Sequence, residues 1–208
     1  MDMRTQKSIR VSTQSVHGYT MLELMVVVGI TAILAVMTVP GMQDSIERNA
    51  REASMQDITT AISLARSEAV AQGRSVSICR STNQAACAAG AGGADWDDGW
   101  IIFSDSGTAG TLGSGDTLLQ VHGPSNNQSK ITLKNRTNGN FTGDFLQFNR
   151  DGFLNNSSTG AYFKFCDHDD VVAKTRAVWL SNTGRPAIST SETDGVHDDL
   201  VGANLACP

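Results

Sequence analysis

One stretch limits what this chain can fold into more than any other: the apolar run from Met21 to Val39, which carries a single ionisable side chain, Glu23. Ten of its residues are Leu, Ile or Val, each favouring membrane insertion by a few tenths of a kcal/mol, roughly, at mid-bilayer. A helix that crosses the hydrocarbon needs roughly 20 such residues, and Tyr19 to Val39 meets that length. A short polar leader with Arg4, Lys7 and Arg10 precedes it. A secretory signal is cut after its apolar stretch. Here the small residue at the boundary, Gly18, comes before it, so a cut there leaves the anchor on the mature chain.

The opening Gly18-Tyr19-Thr20-Met21-Leu22-Glu23-Leu24 resembles the class III signal of type IV pilins and pseudopilins. The resemblance implies that a prepilin peptidase cuts between Gly18 and Tyr19 and methylates the new amine on Tyr19, where the family more often has Phe. It also makes Glu23 the family's assembly acid and Pro40 the proline that ends the first apolar segment. An acid at membrane depth is costly and calls for a named partner. Tyr19 and Glu23 stand four apart, so they are expected on one helical face, one turn apart. The expected cation is the Tyr19 amine, of the same chain or of the next subunit. Basic residues ahead of the anchor keep the leader cytoplasmic and put everything after Pro40 in the periplasm. The expected location is the bacterial inner membrane, single-pass, in contact with inner-membrane lipid, and extracellular once assembled.

Beyond Pro40 the pattern stays helical. Met42, Ile46, Ala50, Ala53, Ile58, Ala61, Ile62, Ala65 and Ala69 recur at three and four, with one gap of five, an amphipathic stripe. Gly73 is the expected stop. One helix over 19–72 is therefore expected, half anchor and half spine of a head. After Gly73 the chain breaks into short runs of β-formers between turn residues. Strands are expected at Val76–Ile78, Trp100–Phe103, Leu118–His122, Ile131–Lys134, Leu146–Asn149, Tyr162–Cys166, Ala177–Ser181 and Ala187–Thr190. The fold class is α+β: a long N-terminal helix packed on an antiparallel sheet, the type IV pilin-like arrangement that the resemblance implies. The organisation reads as leader 1–18, transmembrane and assembly helix 19–40, amphipathic helix 41–73 and β-rich periplasmic head 74–208.

Cys79, Cys87, Cys166 and Cys207 allow three pairings. The sequential one, Cys79–Cys87 with Cys166–Cys207, is the simplest, and an oxidising compartment favours disulfides. Zinc competes, but no pair of cysteines has the close spacing of a zinc site.

A narrower resemblance runs through Ala65-Arg66-Ser67-Glu68-Ala69-Val70, Val76-Ser77-Ile78-Cys79 and Trp96-Asp97-Asp98-Gly99-Trp100. It continues in Phe145, Phe148, Gly152, Phe163, Cys166, Asp167 and Leu180-Ser181-Asn182-Thr183-Gly184-Arg185. These segments are similar to the FimT/FimU and GspH group of minor pilins and pseudopilins. The resemblance implies a structural role: a minor pilin that starts pilus assembly and sits at or near the fibre tip, serving twitching motility and adhesion, with other minor pilins and the major pilin as partners. One branch of that group binds DNA through Gly-Arg-any-Arg. This chain has Gly184-Arg185-Pro186-Ala187, so Arg185 alone matches, and DNA-uptake pilin and type II secretion pseudopilin stand as alternatives.

Charge argues against general nucleic-acid binding. The formal net charge is -5 and falls to -7 once the leader's three basic residues and Asp2 are removed. Lys130, Lys134, Arg136, Arg150, Lys164, Lys174 and Arg176 are the residues from which a local basic patch would have to be built. Asp167-His168-Asp169-Asp170 with His197-Asp198-Asp199 has metal-ligand residue types but reads as two solvated acidic loops, and Asp95-Trp96-Asp97-Asp98 lacks calcium-loop spacing. No nucleophile elbow or phosphate loop stands out, so the chain is read as a non-enzyme that needs no cofactor and no metal.

Overall fold

The computed structural model describes residues 18–88, 95–125, 129–136, 141, 144–157, 159–167, 174–189, 205 and 207, with the side chains of 37–41, 44 and 167 left out. The chain divides into two units, Met1–Gln43 and Asp44–Pro208. Helix α1 covers Met21–Gln72. Thr20 caps it: the Glu23 backbone N–H donates to Thr20 Oγ1 at 3.2 Å, and the Leu24 N–H donates to the Thr20 carbonyl. A Thr at this position meets one of the first-turn N–H groups that no helical carbonyl can reach. The helix therefore starts two residues later than the sequence reading has it, and Tyr19 lies outside it. At the other end Gly73 takes a φ of +64°, and the Arg74 N–H reaches back to the Ala69 carbonyl. That is the left-handed closure glycine permits at a helix end.

Eight strands follow in the expected places, with ends shifted by one or two residues: β1 (Val76–Arg80), β2 (Trp100–Ser104), β3 (Thr117–His122), β4 (Ser129–Asn135), β5 (Phe145–Phe148), β6 (Ala161–Asp167), β7 (Arg176–Leu180) and β8 (Pro186–Ile188). They form two four-stranded antiparallel sheets, ordered β3-β2-β1-β5 and β4-β6-β7-β8. Pro186, which lacks an N–H for a ladder, sits on an edge strand where that costs least.

The inner faces of both sheets close on the second half of α1. Ile58, Ile62, Ala65 and Ala69 from the helix share one buried cluster with Ile78, Ile102 and Phe148 of the first sheet and Leu133, Phe163 and Val178 of the second. Each fully buried Ile or Phe contributes about 1.5–3 kcal/mol of transfer free energy. The alanines let the helix approach closely. Upstream of Ile58 the buried face differs from the expected stripe. Met55, Ser54 and Arg51 are buried, whereas Ala53, Ile46 and Met42 are exposed. The five-residue gap between Ala53 and Ile58 explains this. Five steps on a helix with 3.6 residues per turn overshoot one turn by well over a third, so Ala53 faces away from Ile58.

Both outer sheet faces are covered as well. Over the first sheet, Cys79, Ile101 and Phe103 are buried with Cys87, Leu112 and Phe145 packed against them. Over the second, Tyr162 and Ala177 are buried by Leu205, with Trp179 alongside. A disulfide pins each cover: Cys79 to Cys87 and Cys166 to Cys207. Both faces of β2 are thus buried, which is why Trp100-Ile101-Ile102-Phe103 reads as an unbroken apolar run rather than an alternating one.

Candidate functional site

The N-terminal segment holds Gly18, Tyr19 and Glu23, the residues that the sequence leads one to expect in processing and assembly. Gly18 and Tyr19 precede the helix, exposed, with Tyr19 at 85% of its full accessibility, so the peptide bond between them is open to a protease. Glu23 lies in the first turn of α1, where an acid is favoured by the helix dipole. Among the described residues it has no ion-pair partner. Because Thr20 caps the helix, Tyr19 and Glu23 do not share a helical face in the uncut chain, contrary to the sequence reading. The Thr20 cap itself escaped that reading, although Thr20-Met21-Leu22-Glu23 has the Thr-any-any-Glu spacing of a capping box.

From Met21 to Val36 the large apolar side chains are exposed on every side of the helix, the distribution of a helix whose surroundings are apolar. Thr31, the polar residue besides Glu23, bonds its hydroxyl back to the Val27 and Val28 carbonyls at 2.9 and 3.0 Å. Among the described residues no helix is long and apolar enough to cross a membrane; the described side chains of this half stop at Val36. The backbone is helical through Pro40, and the Pro40 side chain lies outside the described residues, as does the leader over 1–17.

On the head, Arg185 is exposed and follows a tight turn. Gly184, at φ +74°, donates its N–H to the Ser181 carbonyl, and the Arg185 carbonyl accepts the Ser181 N–H. A side chain at 184 would strike the Gly152 carbonyl. Arg66 Nε donates to the same carbonyl at 3.1 Å. The glycine, the arginine of α1 and the turn after β5 thus form one joint.

The seven basic residues named from the sequence, Lys130 to Arg176, do not gather into one patch. Lys130, Lys134 and Lys164 share the outer face of the second sheet, since Lys130 is opposite Cys166, Thr132 opposite Lys164 and Lys134 opposite Tyr162. Lys164 is only 4% exposed there, and Lys130 pairs with Asp95 at 3.6 Å. Arg176 and Lys174 lie on the other side, beside α1. Arg136 and Arg150 sit in separate turns.

Trp96 is fully buried in a 3₁₀ turn (Trp96–Asp98), its ring edge-on to Phe163 at 4.9 Å, and Asp97 is held through its carbonyl by Ser125. Burial raises the Asp97 carboxyl above its usual range, and the neighbouring Asp95 adds to this. This segment is a packing element. His168, Asp169, Asp170, His197, Asp198 and Asp199 lie outside the described residues. Among the described residues no three His, Cys, Asp or Glu side chains group as a metal site.

Comparison with known proteins fits this architecture. The chain is similar in fold to the type IV minor pilin FimU of Pseudomonas aeruginosa, at 24% identity and a TM-score of 0.50, over 74% of this chain and 97% of that one. The minor pseudopilin EpsH from the type 2 secretion system of Vibrio cholerae aligns at 9% identity and a TM-score of 0.43, over 66% of this chain and 94% of that one. No curated protein sequence matches significantly. Residues 14–39 match the prokaryotic N-terminal methylation motif. Residues 54–184, more than half of the chain, match the model described as Type II transport protein GspH, so this protein belongs to the GspH family of minor pilins and pseudopilins.

Proposed function

We propose that the chain is a minor pilin of a type IV pilus: cut between Gly18 and Tyr19 by a prepilin peptidase, methylated on Tyr19, held in the inner membrane by residues 19–40 and drawn into the fibre with other minor pilins and the major pilin. One observation carries this reading: a helix capped immediately after an exposed Gly18–Tyr19 bond shows an apolar surface, broken by Glu23 and Thr31, in its first half and helps form the core of the head in its second. The methylation motif supports processing and assembly with other pilins. Cleavage frees an amine two residues ahead of the helix, and Glu23 is the acid available to meet it, on the same chain or a neighbour. Glu23→Ala is expected to be cleaved normally and to be missing from sheared pili. Normal incorporation of that variant would remove the amine–Glu23 pairing; absence of the wild-type chain from sheared pili, with piliation intact after deletion, would remove the pilus reading.

The family description favours a second reading, a minor pseudopilin of type II secretion. Deletion would then block an exoprotein and leave twitching unaffected. The split of Lys130, Lys134 and Lys164 from Lys174 and Arg176 over two faces does not favour the DNA-uptake reading.

A further inference from the structure

A cavity of about 520 Å³ opens in the head between α1, Lys174, β7 and β8. Arg48, Arg51, Lys174 and Arg176 are among its lining, with one acid, Glu52, and with Met55 and Ile188 as apolar wall. Two of these cations have carboxylates matched to them: Arg48 Nε pairs with Glu52 at 2.9 Å and Lys174 with Glu47 at 3.7 Å. Among the described residues Arg51 has none. The residue is 5% exposed, and its Nη1 is buried with no hydrogen-bond partner among the described residues. A buried guanidinium with unmet N–H groups is costly unless an anion compensates it. Crowding of positive charge is also felt at Arg176, whose hold on its proton is weakened by burial and then by Arg51 and Arg48. This concentration of cations is out of keeping with a chain of net charge -5.

We propose that this cavity is a docking site for a carboxylate on an acidic, apolar-flanked segment of a protein partner, with Arg51 as the anchor. A planar guanidinium fork matches a carboxylate in two-point contact. Met55 and Ile188, the latter 54% exposed, provide apolar wall beside it, which suits the side chain next to an Asp or Glu in a peptide. A nucleic-acid strand needs a stripe of cations that tracks successive phosphates, not one confined cavity with apolar walls. The site does not depend on the fibre reading above, because binding is measured on the isolated chain and pilus recovery is not part of the readout.

The test uses the full-length chain in detergent micelles. The probe is a capped hexapeptide of alternating glutamate and leucine; the controls are its lysine counterpart, inorganic phosphate and a short DNA duplex. Fluorescence anisotropy is expected to show saturable binding of the acidic peptide that weakens with salt. Arg51→Met should weaken it roughly tenfold or more, the loss of one charge-assisted contact. Arg51→Lys should recover part of the binding, and Lys130→Met, on the other face of the sheet, should leave it unchanged. Thermal melting checks the fold: removing an unpaired buried charge is expected not to lower the melting temperature. If Arg51→Met does not fold, Arg176→Met gives the same readout. No binding by the wild-type chain, equal binding by Arg51→Met, or tighter binding of phosphate or DNA than of the peptide would each overturn the assignment.

Discussion

Arg66 donates its Nε–H to the Gly152 carbonyl at 3.1 Å, a bond between side chain and backbone that joins α1 to the turn after β5. Its partner residues are 86 apart in sequence, so the bond fixes the helix against the first sheet rather than reinforcing local structure. Arg66→Met is expected to cost about 1–2 kcal/mol, because it removes a charge-assisted bond and leaves a half-buried carbonyl to find water. Urea denaturation with an unchanged slope and a lower midpoint would show this; an unchanged midpoint would mean the bond is replaced by solvent at no cost.

Gly184 and Arg185 separate sharply. At Gly184 a Cβ would meet the Gly152 carbonyl, and the φ of +74° strains any other residue. Gly184→Ala should therefore destabilise the head by about 2–3 kcal/mol. Arg185→Ala removes an exposed side chain and should stay within about 0.5 kcal/mol. Melting curves of the two variants side by side test the contrast.

The two disulfides should differ in worth. Cys166–Cys207 closes a separation of 41 residues and Cys79–Cys87 one of 8. Loop entropy gives about 4 kcal/mol for the first and about 2.5 kcal/mol for the second. Paired Ser substitutions at each bond, compared by denaturant midpoint, should reproduce that order. The longer one should also expose Tyr162 and Ala177, which Leu205 covers, seen as increased binding of a hydrophobic dye.

Asp116 predicts an acid limit for one loop. Its carboxylate accepts the Ser106 and Gly113 N–H groups, both at 2.8 Å, and the Ser106 hydroxyl. These bonds lower its affinity for a proton below the usual 3.8, with the Ser106 N–H the largest cause. A carboxyl whose folded value is depressed stabilises the fold above its unfolded value, and that contribution is lost as pH falls through the folded one. Amide exchange at Ser106 and Gly113 should therefore stay slow, relative to its intrinsic rate, down to about pH 4, then become relatively faster below it. Asp116→Asn should show the faster exchange at neutral pH.

Much of this fold was legible because the strongest patterns were long or discrete. Eight strands and the Gly73 stop follow from β-rich runs and their punctuation. What escaped was what depends on three-dimensional pairing. The division of eight strands between two sheets needs β1 to pair with both β2 and β5, and nothing local states that. The buried stripe was misphased above Ile58, since Ala53 and Ile46 look more like core than Arg51 does. Arg51 is inside all the same, because the helix turns it toward Lys174 and Arg176. No hydropathy argument buries an arginine. The Thr20 cap, by contrast, is local: the Thr20-to-Glu23 spacing states it in the sequence itself.

The Cys166–Cys207 bond has a mechanical consequence. Tension applied at Cys207 passes through sulfur to Cys166, one residue from the C-terminal end of β6. The intervening residues, including β7 and β8, lie in a closed loop that carries none of the load. A pull between Cys207 and α1 is therefore borne by β6 and the helix core, and the peptide between the cysteines cannot be peeled off from its end while the sulfur link holds.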